Sequence, residues 1–143
     1  METVLILDFG AQYSQLIARR VREQNVYCEV KPCSISPDEI RKLAPIGIIL
    51  SGGPQSVYES VSLHVDPALF SLGIPVLGIC YGCQLMAYSL GGTVAAATEA
   101  TAREYGKTLT EFDTHSAIFQ DLPASSVTWM SHGDYISRVP DGF

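Results

Sequence analysis

Residues 75–84 read PVLGICYGCQ: an apolar run that breaks at a glycine, presents a cysteine, and resumes as a helix-forming stretch. A short apolar run bounded by turn residues fits a buried strand. The segment that follows, from about Tyr81 to Leu90, reads as a helix closed by Gly91-Gly92. Cys80 therefore sits where a strand hands over to a helix. That junction sets the fold class, because three similar units precede it.

Upstream, Thr3–Leu7 is an apolar run that ends at Asp8-Phe9-Gly10. A helix is expected over Gln12–Gln24, with Tyr13, Leu16, Ile17 and Val21 as its apolar stripe. Val26–Val30 alternates as a second strand. Ser36-Pro37-Asp38-Glu39 has the composition of a helix start: a serine cap, proline in the first turn and acids near the N-terminus. Ile46–Leu50 is a third strand and runs into Ser51-Gly52-Gly53-Pro54. A short helix is expected near Asp66–Leu72. The β-α-β-α-β-α-β-α order predicts an α/β fold, a doubly wound, mostly parallel, flavodoxin-like sheet with flanking helices. Sites in such sheets form at the carboxyl ends of strands. Loops 8–13, 51–56 and 79–84 all fall at that edge. Beyond Gly92, Thr93–Ala97, Lys107–Phe112 and Val127–Met130 read as short strands of a mixed or antiparallel extension.

Composition bounds the function. The 143 residues suffice for one domain with a sizeable core. Apolar residues make up 47% and charged residues 17%, which suits strands buried on both faces. The net charge of −6 and few basic residues argue against nucleic acid. No apolar run is long enough for a membrane span, and METVLILDFG lacks the features of a signal peptide, so a cytoplasmic protein is expected. Arg19, Arg20 and Arg22 read as a solvated helix face, with a docking surface as the sharper alternative. Cys28 reads as a core residue or bystander, and Cys33 is assigned no role.

Gly78-Ile79-Cys80-Tyr81-Gly82 fits G-x-C-x-G, the thiol counterpart of the G-x-S-x-G nucleophile elbow. A sharp turn needs small neighbours on both sides of the nucleophile. It also sets the sulfur at a helix N-terminus, where partial positive charge favours an anion. The Tyr81 N–H is then placed to face an oxyanion. This loop taken alone fits a nucleophile and a plain core thiol about equally. Cys80 and Cys83 also make a C-x-x-C, open to a dithiol redox reading, but thioredoxin-type motifs follow the first strand of their unit and here three strands come first. Zinc would need two more ligands, and His64, His115 and His132 are scattered. Ser51-Gly52-Gly53-Pro54 favours the nucleophile. Its glycines allow close backbone approach, and the Gly53 N–H could serve as a second oxyanion donor. Together the two loops suit acyl transfer at a carbonyl.

Gly78-Ile-Cys-Tyr-Gly-Cys-Gln84 resembles the nucleophile loop of class I (triad) glutamine amidotransferases, and Ser51-Gly-Gly-Pro54 resembles their oxyanion loop. Leu7-Asp-Phe-Gly-Ala-Gln-Tyr13, Gln15–Glu23 and Met130-Ser-His-Gly-Asp134 narrow the resemblance to members that serve the amination of XMP to GMP. The resemblance implies that Cys80 attacks the side-chain amide of glutamine while the N–H groups of Gly53 and Tyr81 hold the oxyanion. It implies that Gln84, Ser131, His132, Gly133 and Asp134 bind glutamine, and that His132 is not the general base. The glutaminase domain itself is expected to use no metal or cofactor. Ammonia would pass to an ATP-pyrophosphatase synthetase domain that uses ATP and Mg to adenylate and aminate XMP, in a protein that is a homodimer at full length. Two departures stand out. The family's catalytic His and Glu lie in a later F-H-P-E type segment that residues 1–143 do not contain. The chain is therefore expected to be an incomplete amidotransferase domain, lacking closing strands and the synthetase, with little turnover alone. A non-catalytic glutamine- or partner-binding homologue is the alternative. Position 83, commonly methionine in the family, is cysteine here and is expected to be buried and non-catalytic.

Overall fold

A computed structural model describes residues 2–10, 12–60, 62–96 and 104–143. The elements, in chain order, are β1 (Thr3–Asp8), α1 (Ser14–Glu23), β2 (Tyr27–Pro32), α2 (Pro37–Leu43), β3 (Gly47–Leu50), a 3-10 turn (Pro67–Ser71), β4 (Val76–Gly78), α3 (Tyr81–Ser89), β5 (Thr93–Ala96), β6 (Glu104–Glu111), β7 (Ser125–His132) and β8 (Asp134–Arg138). The chain divides into two compact units, residues 1–94 with 136–143, and residues 95–135.

The first unit is built on a parallel sheet in the order β2-β1-β3-β4. Because side chains alternate across a strand, each strand feeds two cores. Leu5 and Leu7 of β1, with Ile48 and Leu50 of β3, meet Ile40 of α2, Leu69 of the 3-10 turn and Leu85 of α3. On the other face Ile6 meets Cys28 and Ala18 of α1, with Ile17, Val21 and Ile49 packed around them. Helices thus cover both faces, and the expected doubly wound sheet is the one observed.

Local chemistry explains the helix boundaries. Ser36 caps α2 through a capping box: its Oγ accepts from the Glu39 N–H, and the Glu39 carboxylate accepts from the Ser36 N–H. Asp66 caps the 3-10 turn by accepting from the Ala68 N–H. Helix α1 departs from expectation. It starts at Ser14, and its inward face is Ser14, Ile17, Ala18 and Val21. Tyr13 and Leu16, expected on the apolar stripe, are 65% and 45% exposed. The face rotated because Ser14 finds hydroxyl and carboxylate partners inside, so its burial costs less than its polarity suggests. Arg19 and Arg20 are solvated and pair with Glu23, as a helix surface should.

In the second unit β6 and β7 form an antiparallel ladder from Glu104↔His132 to Glu111↔Ser125. Strand β5 is paired with β8, which the sequence reading did not anticipate. Expected residue Ala97 lies outside the described residues.

Candidate active site

Strands β1, β3 and β4 are parallel, so the loops that leave their carboxyl ends share one edge. The β4–α3 junction is a tight elbow. Cys80 has φ 53° and ψ −116°, a left-handed conformation that a non-glycine residue avoids. Its flanking glycines are required by space. A Cβ on Gly78 would stand 2.6 Å from the Cys83 Cα, and one on Gly82 would stand 2.6 Å from the Leu50 Cβ and meet the Leu50 carbonyl. Real Cβ atoms essentially never show such contacts, so glycine at 78 lets α3 start this close to β4, and glycine at 82 lets it lie this close to β3. Cys80 is exposed and its carbonyl accepts the N–H groups of Cys83 (3.0 Å) and Gln84 (3.1 Å). The Gly82 N–H is held by the carbonyls of Ser51 (3.1 Å) and Ile79 (3.0 Å). Among the described residues, the Tyr81 N–H at the first helical position has no backbone acceptor. First-turn amides of a helix have no partner within it, so this donor is available to an oxyanion.

The Ser51-Gly52-Gly53-Pro54 loop lies directly against this elbow. A Cβ on Gly52 would be 3.4 Å from the Cys80 Cβ and 4.0 Å from its Sγ. One on Gly53 would stand 3.0 Å from the Phe9 carbonyl oxygen and 3.4 Å from the Tyr81 ring. The structure therefore brings Cys80, Tyr81 and Gly53 together. The Tyr81 ring is buried, packs on Phe9 at 5.4 Å between centroids, and donates its hydroxyl to the Leu63 carbonyl. Burial pushes the Tyr81 phenol up from its ordinary value. Gln84 is 8% exposed. It belongs to the interior side of α3 and is no surface residue.

A polar network that the sequence reading missed ties these loops together. Ser51 is fully buried, its Oγ accepts from the Phe9 N–H (3.2 Å) and lies 3.1 Å from the Gly52 carbonyl. The Ser14 Oγ, 3.3 Å from Ser51 Oγ, donates to Asp8 Oδ1 (2.7 Å), which also accepts from the Gly10 N–H (2.9 Å). Asp8, Ser14 and Ser51 thus fasten the β1 loop to the glycine loop beside Cys80. The signal in sequence was an aspartate at a strand end with serine six residues on, a pattern too common to single out.

Ser131, His132, Gly133 and Asp134 belong to the second unit. Ser131 and His132 end β7, Gly133 bends the chain, and Asp134 opens β8. His132 Nδ1 is 2.9 Å from the Asp134 carbonyl, so Nδ1 carries the proton. His64 Nε2 lies 2.8 Å from Ser62 Oγ and His115 Nδ1 3.0 Å from Asp113 Oδ1.

Cys83 corrects an expectation. It is half-buried and not sealed in the core, though burial, with the nearby Cys80 adding to it, pushes its thiol up. Cys28 and Cys33 are buried, and burial likewise raises Cys33. A cleft of about 480 Å³ between the end of β2 and α2, lined by Lys31, Ile35, Glu39 and Lys42 among others, contains none of the candidate site residues. Among the described residues no group of three or more His, Cys, Asp or Glu could hold a metal ion, and no helix is long and apolar enough to cross a membrane.

A thiol on a strand-to-helix elbow, beside a glycine loop and a first-turn amide with no backbone acceptor among the described residues, is an arrangement that suits acyl transfer. Residues 5–143 match the family described as glutamine amidotransferase class-I, and the chain belongs to that family. It is 54% identical over 142 residues to the GMP synthase (glutamine-hydrolysing) of Natranaerobius thermophilus and 55% identical over 142 residues to that of Macrococcus caseolyticus. Each match takes in 99% of this chain, which spans only about 27% of the length of these relatives. Among solved structures, a Thermoplasma acidophilum protein provisionally described as part of a GMP synthase is similar at TM-score 0.82 and 29% identity, over 99% of this chain and 69% of its own. A glutamine amidotransferase of Thermotoga maritima shares the fold at TM-score 0.71 and 21% identity, over 96% of this chain and 63% of its own.

Proposed function

We propose that the chain is the glutaminase part of a GMP synthase. Cys80 Sγ attacks the side-chain amide carbon of glutamine, and the N–H groups of Tyr81 and Gly53 hold the developing oxyanion. Collapse of that intermediate breaks the C–N bond, releases ammonia and leaves a glutamyl thioester on Cys80. Water then cleaves the thioester to glutamate. Gln84 and the Ser131–Asp134 loop hold the glutamine. A histidine and glutamate from a later F-H-P-E type segment move the protons. A synthetase domain, with ATP and Mg, uses the ammonia to aminate adenylated XMP. In this reading the whole protein is a cytoplasmic ligase of purine biosynthesis and a homodimer.

The observation that carries the reading is the strained left-handed backbone at Cys80 with the Gly52 backbone beside its side chain. Strain of this kind persists where a side chain must be presented in one direction. The test is a glutamine-mimicking diazoketone, followed by peptide mapping. Labelling of Cys80, blocked by excess glutamine, is expected. Labelling that falls on another cysteine, or that glutamine does not compete, would count against it. Residues 1–143 by themselves should hydrolyse glutamine at least about 100-fold more slowly than the same chain extended through the His/Glu segment, since positioned acid–base groups contribute that much or more. Equal, Cys80-dependent rates would overturn that role for the later segment.

A further inference from the structure

The proposed chemistry uses one cysteine of the C-x-x-C and leaves Cys83 without a task. We propose that Cys80 and Cys83 form a reversible disulfide under peroxide, so that Cys83 shields the nucleophile from irreversible oxidation. The proposal deepens the glutaminase reading and rests on it for its consequence, the loss of a catalytic thiol.

Three observations support the pairing. First, the Cys83 N–H donates to the Cys80 carbonyl at 3.0 Å, closing a single turn. Such a turn holds its end Cα atoms within ~7 Å, and disulfides span roughly 4.4–6.8 Å. Second, exposure differs in the useful order. Cys80 is exposed and meets an oxidant first, while Cys83 is half-buried behind it. Burial, with the neighbouring Cys80 adding to it, raises the Cys83 thiol, and the Cys80 contribution ends once Cys80 is a neutral sulfenic acid. Third, the remaining cysteines, Cys28 and Cys33, are buried outside this turn.

The steps balance. The Cys80 thiolate attacks one oxygen of a peroxide, and the O–O bond breaks. Cys80 becomes a sulfenic acid, and the other oxygen leaves as hydroxide or alkoxide, which takes up a proton. The Cys83 sulfur then attacks the Cys80 sulfur. An S–S bond forms, the S–O bond breaks, and water departs with the proton from Cys83. Two thiols lose two electrons to one peroxide. A small dithiol returns both by thiol–disulfide exchange. Without Cys83, the sulfenic acid would proceed to sulfinic acid, which such a reductant does not reverse.

The experiment treats the chain extended through the His/Glu segment with hydrogen peroxide, maps the cysteines by mass spectrometry, then adds a dithiol and measures diazoketone labelling of Cys80. Wild type should lose two hydrogens, yield a Cys80–Cys83 linked peptide, and recover most of its labelling. Cys83→Ser should label normally before oxidation, accumulate sulfinic acid on Cys80, and recover at least about tenfold less. Cys83→Met, which restores a side chain without a thiol, should behave like Cys83→Ser. If wild type gives sulfinic acid directly, or links Cys80 to Cys33, the proposal is wrong. A Cys80–Cys83 link in a chain whose reduced Cys80 ignores the diazoketone would keep the redox pair and sink the glutaminase reading. Normal labelling without the link would do the reverse.

Discussion

Cys80 carries its side chain on a backbone with φ 53° and ψ −116°, a conformation open to glycine and costly for anything with a Cβ. That cost is testable apart from catalysis. Cys80→Gly should be more stable than Cys80→Ala by about 1 kcal/mol, even after glycine's larger entropy of ordering is set against it. Urea unfolding of the two variants measures the difference, and a more stable alanine variant would mean that the elbow is unstrained. At the neighbouring glycines alanine is disfavoured for a different reason, lack of space. Gly82→Ala must push into the Leu50 backbone and should cost about 1–3 kcal/mol, the range for overpacking a filled core. These features were legible in the sequence, because a tight elbow imposes its demand on the residues that form it. Gln84 and Ser51 were not legible in the same way. A glutamine in a helix and a serine after a strand look alike whether buried or exposed, and only the neighbours brought by other strands decide.

At the scale of elements, α2 shows how far local chemistry reaches. Hydrogen bonds from the Ser36 N–H and hydroxyl hold the Glu39 carboxyl below its usual range. A carboxyl lowered in the folded state stabilises above its ordinary pKa, and the contribution is lost as pH falls through the folded value. Stability should therefore drop on acidification partly through Glu39, and Glu39→Gln should flatten that part of the profile. Urea midpoints measured at neutral and acid pH would show it, and an unchanged slope would rule the box out as the cause. Helix α1 gives the contrary lesson. Its pattern of apolar residues pointed to Tyr13 and Leu16, yet the buried stripe begins at Ser14. Ser14→Ala leaves Asp8 with one donor fewer and should cost about 1 kcal/mol, the usual worth of such a hydrogen bond. It should also slow Cys80 labelling, because the same network anchors the Ser51 loop.

Across the whole molecule the two units differ in what holds them. The first has a four-stranded sheet with a core on each face. The second rests on the β6–β7 ladder, whose Trp129 is 74% exposed. Two-stranded ladders are marginal without a packed face. Amides of β6 and β7 should exchange with deuterium well before those of β1 and β3, and Trp129→Ala should change stability by no more than about 0.5 kcal/mol. Uniform protection across both units would contradict this. By itself the sequence determined the order of the strands and helices as far as β7, the thiol elbow and the glycine loop, though not β8, because apolar runs, caps and glycines act within a few residues of themselves. The tertiary structure alone decided which face of α1 turns inward, that β5 takes β8 as its partner, and that Asp8, Ser14 and Ser51 lock two loops beside Cys80. Each of those outcomes depends on polar and apolar partners far apart in the chain, and their burial is favourable only once the fold has brought them together.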